Sequence, residues 1–135
     1  QAEGVKPAAS IEELYSNCDY VSLHIPANDQ TKNSINYELL SKMPKGACLV
    51  NTARKEVINE ADMAKLLAER TDFKYVTDIA AGNNDELAAF APRYFATPKK
   101  MGAQTAEANL NAGLAAANQI VDFIKNGVTK FQVNK

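Results

Sequence analysis

Short apolar runs alternate along the chain with segments in which apolar residues recur at helical spacing. Four apolar runs have the length and composition of β-strands, at residues 20–24, 47–51, 75–79 and 94–97. Between the second and third runs, apolar side chains recur every three or four positions at Met63, Leu66 and Leu67. Strands that alternate with helices predict a parallel sheet with helical crossovers, which is an α/β fold.

Helix ends are marked by residues that cap or stop helices. Ser10 followed by Glu13 forms a capping box, which predicts a short helix over residues 11–17. Thr105 begins a long apolar-striped segment, and Gly127 supplies a typical helix stop. We therefore expect a long helix near the end of the chain.

Other segments carry weaker signals of local structure. Asn59 can cap the helix that contains the three-and-four spacing, and Pro44 with Gly46 ends an earlier helical segment. Residues 82–92 have apolar side chains for one or two helical turns but no clear period, so we assign them as irregular.

Polar signatures follow three of the four predicted strands. They are Asn51 to Arg54, Thr77 to Ile79, and Thr97 to Gly102. An open parallel sheet places its ligand crevice at the carboxyl ends of its strands. The three signatures therefore indicate part of a nucleotide-dependent enzyme.

Composition narrows the classes of protein to which the chain can belong. Its 135 residues are a typical length for one domain. With 15 basic and 16 acidic residues its net charge is −1, and it has no basic run of the kind that binds nucleic acid or anionic lipid. No apolar stretch approaches the roughly 20 residues of a membrane span. Cys18 and Cys48 lack metal-ligand spacing and fit a reduced intracellular protein, so we expect no metal and a cytoplasmic location.

The order and spacing of these motifs, with Ser22 to Pro26 and Thr31, resemble the D-2-hydroxyacid dehydrogenases over residues 11–126, and most of all their phosphoglycerate dehydrogenase branch. The resemblance implies part of a doubly wound, Rossmann-like parallel sheet and NAD as cofactor. It also implies that residues 1–104 are the second half of the NAD-binding domain, and that residues 105–135 are a return helix and tail toward a substrate domain.

Arg54 is suited to bind the carboxylate of a 2-hydroxy acid, because its planar guanidinium can form two parallel hydrogen bonds with it. The matching arginine of the family has this role. The family pattern also implies that Asp78 faces the nicotinamide end of the cofactor. The resemblance further assigns cofactor contacts to Pro26, Thr31, Thr52, Ala53, Arg54, Asp78, Lys99 and Gly102.

Two linked departures from the family concern its acid/base pair. Lys99 stands where the family usually has the acid/base histidine, and Asn83 stands where it has the partner glutamate. A carboxylate beside lysine favours the charged form, so losing it favours the neutral lysine that a base must be. We therefore expect Lys99 to be the base. Lys100 is the weaker candidate, because strand alternation would point it the opposite way.

Further departures leave parts of the site open. Lys55 stands where the family commonly has glycine, and Asp85 or Glu86 is available for the vacant carboxylate role. None of the six glycines forms a G-x-G-x-x-G turn for the cofactor phosphates. We therefore expect the chain to be part of a longer polypeptide. We expect this part to be inactive on its own. The choice between NAD and NADP stays open.

The function that follows from the resemblance is NAD-dependent oxidation of 3-phosphoglycerate to 3-phosphohydroxypyruvate in serine biosynthesis. Two alternatives remain, namely another 2-hydroxyacid dehydrogenase such as a glyoxylate or hydroxypyruvate reductase, and a noncatalytic NADH-sensing module. Retention of Arg54 argues against the module, because a carboxylate clamp has no use in cofactor binding alone. We expect a small-molecule substrate, no nucleic acid or membrane partner, and a homodimer of the full-length protein.

Overall fold

Four parallel strands form one sheet in the computed structural model, which describes residues 4–100 and 105–134. The strands lie side by side in chain order, as β1 (Tyr20–Leu23), β2 (Cys48–Asn51), β3 (Lys74–Thr77) and β4 (Tyr94–Ala96). The helices are α1 (Ile11–Asn17), α2 (Tyr37–Ser41), α3 (Glu60–Glu69), α4 (Asn84–Ala88) and α5 (Ala106–Asn126). The predicted α/β fold, with parallel strands and a long C-terminal helix, is confirmed.

Side-chain caps fix where the helices begin, as the sequence predicts. The Glu13 N–H donates to Ser10 Oγ at 3.1 Å at the start of α1, and the Asp62 N–H donates to Asn59 Oδ1 at 3.2 Å at the start of α3. The capping box of α1 is shifted by one residue, because the Glu13 carboxylate accepts the Ala9 N–H at 2.6 Å.

The segment that we assigned as irregular, residues 82–92, contains the five-residue helix α4. Its N-cap Asn83 makes no side-chain capping bond, and the Asn83 Nδ2 donates to Glu60 O and Glu86 Oε2 instead. Leu87 is fully buried in the core. Packing of this one side chain thus stabilises a helix too short to show a period.

One face of the sheet builds the core. Alternate strand residues point to this face, and the buried ones are Val21, Leu23, Leu49, Asn51, Tyr75, Thr77 and Tyr94. They pack with buried residues of α2 and α3, including Leu40, Met63 and Leu67. On the opposite face Tyr20, Val76 and Phe95 are 74%, 36% and 58% exposed. The described helices of this part therefore cover a single face of the sheet.

The chain divides into two compact units, residues 1–100 and 101–135. The first holds the sheet. In the second, α5 begins at Thr105, whose Oγ1 accepts the Ala108 N–H at 3.0 Å, and ends at Gly127, which adopts the left-handed conformation at φ 64°. Both ends agree with the sequence prediction. Within the described residues, no helix combines the length and hydropathy needed to cross a bilayer.

Candidate active site

The three polar signatures meet at one edge of the sheet. Parallel pairing places Asn51 beside Thr77 and Thr77 beside Ala96, so the segments that follow β2, β3 and β4 leave the sheet together. These segments contain residues 52–54, residue 78 and residues 97–100. The expected convergence at the carboxyl edge is present. Gly102 lies outside the described residues.

Asn51 anchors the segment that carries Thr52 to Arg54. Its side chain is fully buried, its Oδ1 accepts the Ala53 N–H at 3.0 Å, and its Nδ2 donates to Arg54 O at 3.0 Å. Burying an amide is favourable only when its donors and acceptors are paired, and here the partners are backbone groups of the candidate site. The backbone around Arg54 is thus held by a core residue.

Thr77 anchors the next segment in a similar way. The Ile79 N–H donates to Thr77 Oγ1 at 3.1 Å, and the same hydroxyl lies 2.9 Å from Asn51 O. The Asp78 N–H also donates to Asn51 O, at 3.2 Å. The turn after β3 is therefore tied to the last residue of β2, which fixes the position of Asp78.

Asp78 is a largely buried acid with one unsatisfied oxygen. Its side chain is 19% exposed, and its Oδ1 is buried without a hydrogen-bond donor among the described residues. Lys100 Nζ lies 4.0 Å from this oxygen, which is an ion-pair distance but too long for a hydrogen bond. The carboxylate thus has a cation nearby and one shielded acceptor without a hydrogen-bond donor among the described residues.

Arg54 lies exposed just before a single 3-10 turn, Lys55–Val57. Its Nη1 donates to Ala53 O at 2.8 Å, and this is the bond that orients the guanidinium. Arginine has five N–H donors, so the edge formed by Nε and Nη2 keeps its donors for a ligand. An edge of this kind matches a carboxylate in a two-bond arrangement.

Lys99 and Lys100 take different positions, and the expectation that Lys100 points away from the site is wrong. Lys100 Nζ donates to Thr52 O at 2.7 Å and to Ala53 O at 3.1 Å. Lys99 is exposed, and its Nζ has no hydrogen bond or ion pair within residues 4–100. Strand alternation ends with β4 at Ala96, so it does not govern the residues beyond.

Residues predicted to line the cofactor after β1 form a compact loop. Thr31 Oγ1 donates to Pro26 O at 2.6 Å, and the Thr31 N–H donates to Asn28 Oδ1 at 3.0 Å. Pro26 is exposed and Thr31 is half-buried. The only histidine, His24, is exposed and its Nε2 lies 2.9 Å from Ser22 Oγ. The structure thus places Pro26 and Thr31 together beyond β1.

Glu60 is a residue of this region that the sequence analysis missed. Its Oε1 accepts the Gly82 N–H at 2.5 Å, and its backbone oxygen accepts Asn83 Nδ2 at 3.2 Å. Asn83 Nδ2 also donates to Glu86 Oε2 at 3.0 Å, whereas Asp85 is exposed. Glu60 therefore holds the segment after Asp78. It stands at the start of α3, where acidic side chains are common, so the sequence gave no sign of this contact.

Two buried tyrosines lie beneath the edge. Their ring centroids are 5.6 Å apart, and Asn51 Nδ2 lies 3.4 Å from the hydroxyl of Tyr75. Burial is the main cause that raises the pKa of Tyr75 and of Tyr94. Both hydroxyls therefore stay neutral at physiological pH. Within the described part of the chain, no group of three or more His, Cys, Asp or Glu side chains is arranged to hold a metal ion.

Comparison with known proteins agrees with this geometry. Residues 1–99 match the model of the D-isomer specific 2-hydroxyacid dehydrogenase, NAD binding domain family. The chain belongs to this family. Its members are NAD-dependent oxidoreductases, and the matched NAD-binding domain includes all four strands of the sheet.

Phosphoglycerate dehydrogenases are among the most similar family members. The chain is 34% identical to D-3-phosphoglycerate dehydrogenase of Haemophilus influenzae over 136 residues, which cover 96% of the chain and 33% of that protein. A structure of NAD+-bound 3-phosphoglycerate dehydrogenase from Entamoeba histolytica superposes with a TM-score of 0.84 at 49% identity. That alignment covers 95% of this chain and 42% of the other. The chain thus spans about one third to two fifths of these relatives.

Similarity extends to other members of the family. The chain is 34% identical to erythronate-4-phosphate dehydrogenase of Ectopseudomonas mendocina over 96 residues, which cover 69% of the chain and 25% of that protein. The shared domain therefore occurs in enzymes that are named for different hydroxy acids.

Proposed function

We propose that the whole protein containing this chain catalyses the NAD-dependent oxidation of a D-2-hydroxy acid, with 3-phosphoglycerate as substrate and 3-phosphohydroxypyruvate as product. The observation that carries the proposal is the meeting of Arg54 and the Asp78–Lys100 ion pair at one edge of an NAD-binding domain. The names of the phosphoglycerate dehydrogenase relatives support this substrate.

Arg54 binds the substrate carboxylate in this proposal. Its Nη1 bond to Ala53 O fixes the plane of the guanidinium and leaves the Nε and Nη2 edge for the two carboxylate oxygens. The carbonyl thus orients the cation before the substrate arrives, which lowers the cost of ordering the side chain on binding.

Asp78 and the backbone at Thr52 and Ala53 meet the nicotinamide end of the cofactor. The position of Asp78 supports this assignment, because its N–H donates to Asn51 O and so holds the residue at the carboxyl edge of the sheet. Pro26 and Thr31 line the cofactor beyond β1, and Gly102 is assigned to the same lining. Bound NAD supplies the acceptor for the hydride that leaves the substrate.

Lys99 takes the proton in this proposal. The C–H bond of the substrate breaks with its electron pair leaving as hydride, the O–H bond breaks with its proton passing to the amine nitrogen of Lys99, and a C=O bond forms. The exposed Lys99 side chain has no partner within residues 4–100 that would compete for this nitrogen. A lysine without a neighbouring carboxylate can serve as a base more readily than one that is paired.

The test uses the whole protein and measures NADH formation with 3-phosphoglycerate across pH. Lys99→Met should abolish turnover while changing the Kd for NADH by less than about threefold, because the variant loses the base and little of the cofactor contact. Lys45→Met is the matched control, since Lys45 is exposed and precedes β2 at the opposite edge of the sheet. It should behave as the wild type does.

Other outcomes reject specific parts of the proposal. Near-normal turnover of Lys99→Met would exclude Lys99 as the base. Preference for glyoxylate or hydroxypyruvate would reject the substrate, and NADH binding without turnover of any 2-hydroxy acid would favour the sensing module. We also propose a cytoplasmic homodimer. Light scattering of the whole protein tests its oligomeric state, and cell fractionation tests its location.

A further inference from the structure

Lys100 joins the ends of two neighbouring strands. Its Nζ donates to Thr52 O at 2.7 Å and to Ala53 O at 3.1 Å beyond β2, and lies 4.0 Å from Asp78 Oδ1 beyond β3. An ammonium group has three N–H donors, and three oxygens surround this one. Two of its hydrogens are therefore taken by backbone oxygens, and the ammonium also lies at ion-pair distance from the Asp78 carboxylate.

The ammonium shares Ala53 O with Arg54 Nη1, which donates to it at 2.8 Å, and is itself the donor to Thr52 O at 2.7 Å. Thr52 and Ala53 lie outside the β2 ladder, and Asp78 Oδ1 is buried with no hydrogen-bond donor among the described residues. A shielded carboxylate oxygen is unfavourable unless an opposite charge lies near it. Lys100, whose side chain is 42% exposed, provides that charge.

We propose that Lys100 is a positioning residue that holds the Thr52–Ala53 backbone and the Asp78 carboxylate in one arrangement before the cofactor binds. The adjacent lysines then have separate roles. Lys100 organises the cofactor end of the site, and Lys99 exchanges the proton. This assignment rests on the proposed function, because the same residues meet the nicotinamide there.

The assignment predicts a specific kinetic pattern. Lys100→Met leaves two carbonyls and one carboxylate without their shared cation, so the site must reorganise each time a cofactor binds. We expect the Kd for NADH to rise about tenfold, which is the scale of losing one hydrogen bond to a charged group. The pH dependence of the remaining turnover should stay that of the wild type, because Lys99 is intact.

The experiment compares Lys100→Met, Lys100→Arg and Lys99→Met in the whole protein. NADH fluorescence gives the Kd, and kcat/KM is measured across pH. Lys100→Arg keeps the charge and the donors, so its Kd should lie within about threefold of the wild-type value. Lys45→Met again serves as the matched control and should change neither quantity.

A mutant cycle keeps the test decisive if Lys100→Met lowers stability. Combined with Asp78→Asn, which removes the charge that Lys100 faces, Lys100→Met should weaken NADH binding by less than it does alone. Additive effects would overturn the pairing. An unchanged Kd in Lys100→Met, or loss of all turnover in it while Lys99→Met stays active, would overturn the division of roles.

The readout separates this inference from the proposed activity. NADH binding is measured without turnover, so a wild-type protein that binds NADH but oxidises no 2-hydroxy acid would reject the proposed function only. The Kd values of the lysine variants would still decide whether Lys100 organises the site.

Discussion

Asn51 and Arg54 are joined by a hydrogen bond of 3.0 Å from Asn51 Nδ2 to Arg54 O, in which a fully buried side chain holds the backbone of an exposed functional one. The Asn51 Oδ1 also accepts the Ala53 N–H at 3.0 Å. One core amide therefore supports both stability and site geometry, and changing it should affect both.

Asn51→Ala should lower the free energy of unfolding by about 2–4 kcal/mol, because it leaves the Ala53 N–H and Arg54 O unpaired and opens a cavity. Chemical denaturation of the whole protein measures the change. Asn17→Ala is the control, since its exposed Nδ2 donates to Glu13 O at 2.8 Å, and we expect less than about 0.5 kcal/mol there. Equal effects at the two positions would contradict the role of Asn51.

Arg54→Lys should lower kcat/KM for the hydroxy acid about 100-fold, because a single ammonium cannot replace a two-bond grip on a carboxylate. The Kd for NADH should change by less than about threefold. Steady-state kinetics and NADH fluorescence provide the two values.

The control for Arg54 is Arg93→Lys. Arg93 Nη1 donates to Leu67 O at 2.9 Å and to Arg70 O at 3.0 Å, within the fold and away from the carboxyl edge. This variant should lower the melting temperature but leave kcat/KM nearly unchanged. If both arginine variants lose kcat/KM equally, Arg54 has no special part in substrate binding.

Gly82→Ala should destabilise the protein by up to about 1 kcal/mol, because a Cβ at this position would lie 2.6 Å from Glu60 Oε2, the end of a flexible side chain that bonds the Gly82 N–H. The carboxylate would have to move and would release the Gly82 N–H. Adding Glu60→Ala should remove part of the penalty, since the clashing atom is then gone.

Gly113→Ala is the matched glycine control, since its added Cβ would meet nothing within 4 Å in the described residues. Gly113 lies inside α5, where alanine is the better helix former, so this change should stabilise by about 0.5–1 kcal/mol. Thermal unfolding of the three variants measures the differences. A Gly82→Ala protein as stable as the wild type would show that Glu60 moves aside at no cost.

Tyr15→Phe should leave stability at neutral pH unchanged or raise it by up to about 1 kcal/mol, because the buried Tyr15 hydroxyl has no partner within the described residues. Burial raises the pKa of Tyr15 to about 12. The ordinary tyrosine pKa is about 10, so the folded state favours the neutral form. The stability from this shift is complete below about pH 10 and is lost as the pH rises toward 12.

Denaturation measured from pH 7 to 12 tests this pH dependence. The wild type should lose stability as the pH rises from about 10 to about 12, and Tyr15→Phe should lose less. Tyr20→Phe is the control, because that ring is 74% exposed, and it should follow the wild-type curve. Parallel curves for wild type and Tyr15→Phe would contradict the prediction.

Asp72→Asn should destabilise the protein near neutral pH and have a smaller effect in acid. Asp72 Oδ2 accepts Arg70 Nη2 at 2.5 Å and the Gly46 N–H at 2.7 Å, and these bonds, the arginine first, lower the pKa of Asp72. A lowered pKa contributes stability above the ordinary value of about 3.9, and this contribution is lost as the pH falls through the folded value.

The melting temperatures of Asp72→Asn and wild type should therefore differ less at pH 3 than at pH 7. Glu38→Gln removes an exposed pair with Lys42 at 3.8 Å, and it should change the melting temperature little at either pH. A constant difference for Asp72→Asn at the two pH values would show that its charge is not the cause.

Local chemistry made much of the fold predictable from the sequence. Ser10, Asn59, Thr105 and Gly127 each act through atoms within a few residues, and all four mark helix ends in the structure. Parallel strands also force their polar ends to one edge, which is why Arg54 and Asp78 could be placed in advance. These features need no knowledge of distant contacts.

Contacts between distant residues were not predictable in this way. Glu60 reaches Gly82 across 22 positions, and Lys100 reaches Thr52 across 48. Neither spacing follows a period of the helix or strand. The Lys100 side chain was misjudged because alternation was extended beyond the end of β4, where the backbone no longer imposes it.

The chain order of the strands has a consequence for how the site forms during folding. Each strand pairs with the next one along the chain, so ribosomal synthesis delivers the carboxyl edge in sequence, with Arg54 first, Asp78 second and the two lysines last. The Lys100 contacts to Thr52 and Ala53 span the largest separation among these bonds and close the loop that is entropically most demanding. Lys100 is thus the last of these four residues to be synthesised, so its bonds to Thr52 and Ala53 can form only after the strands between them have been made.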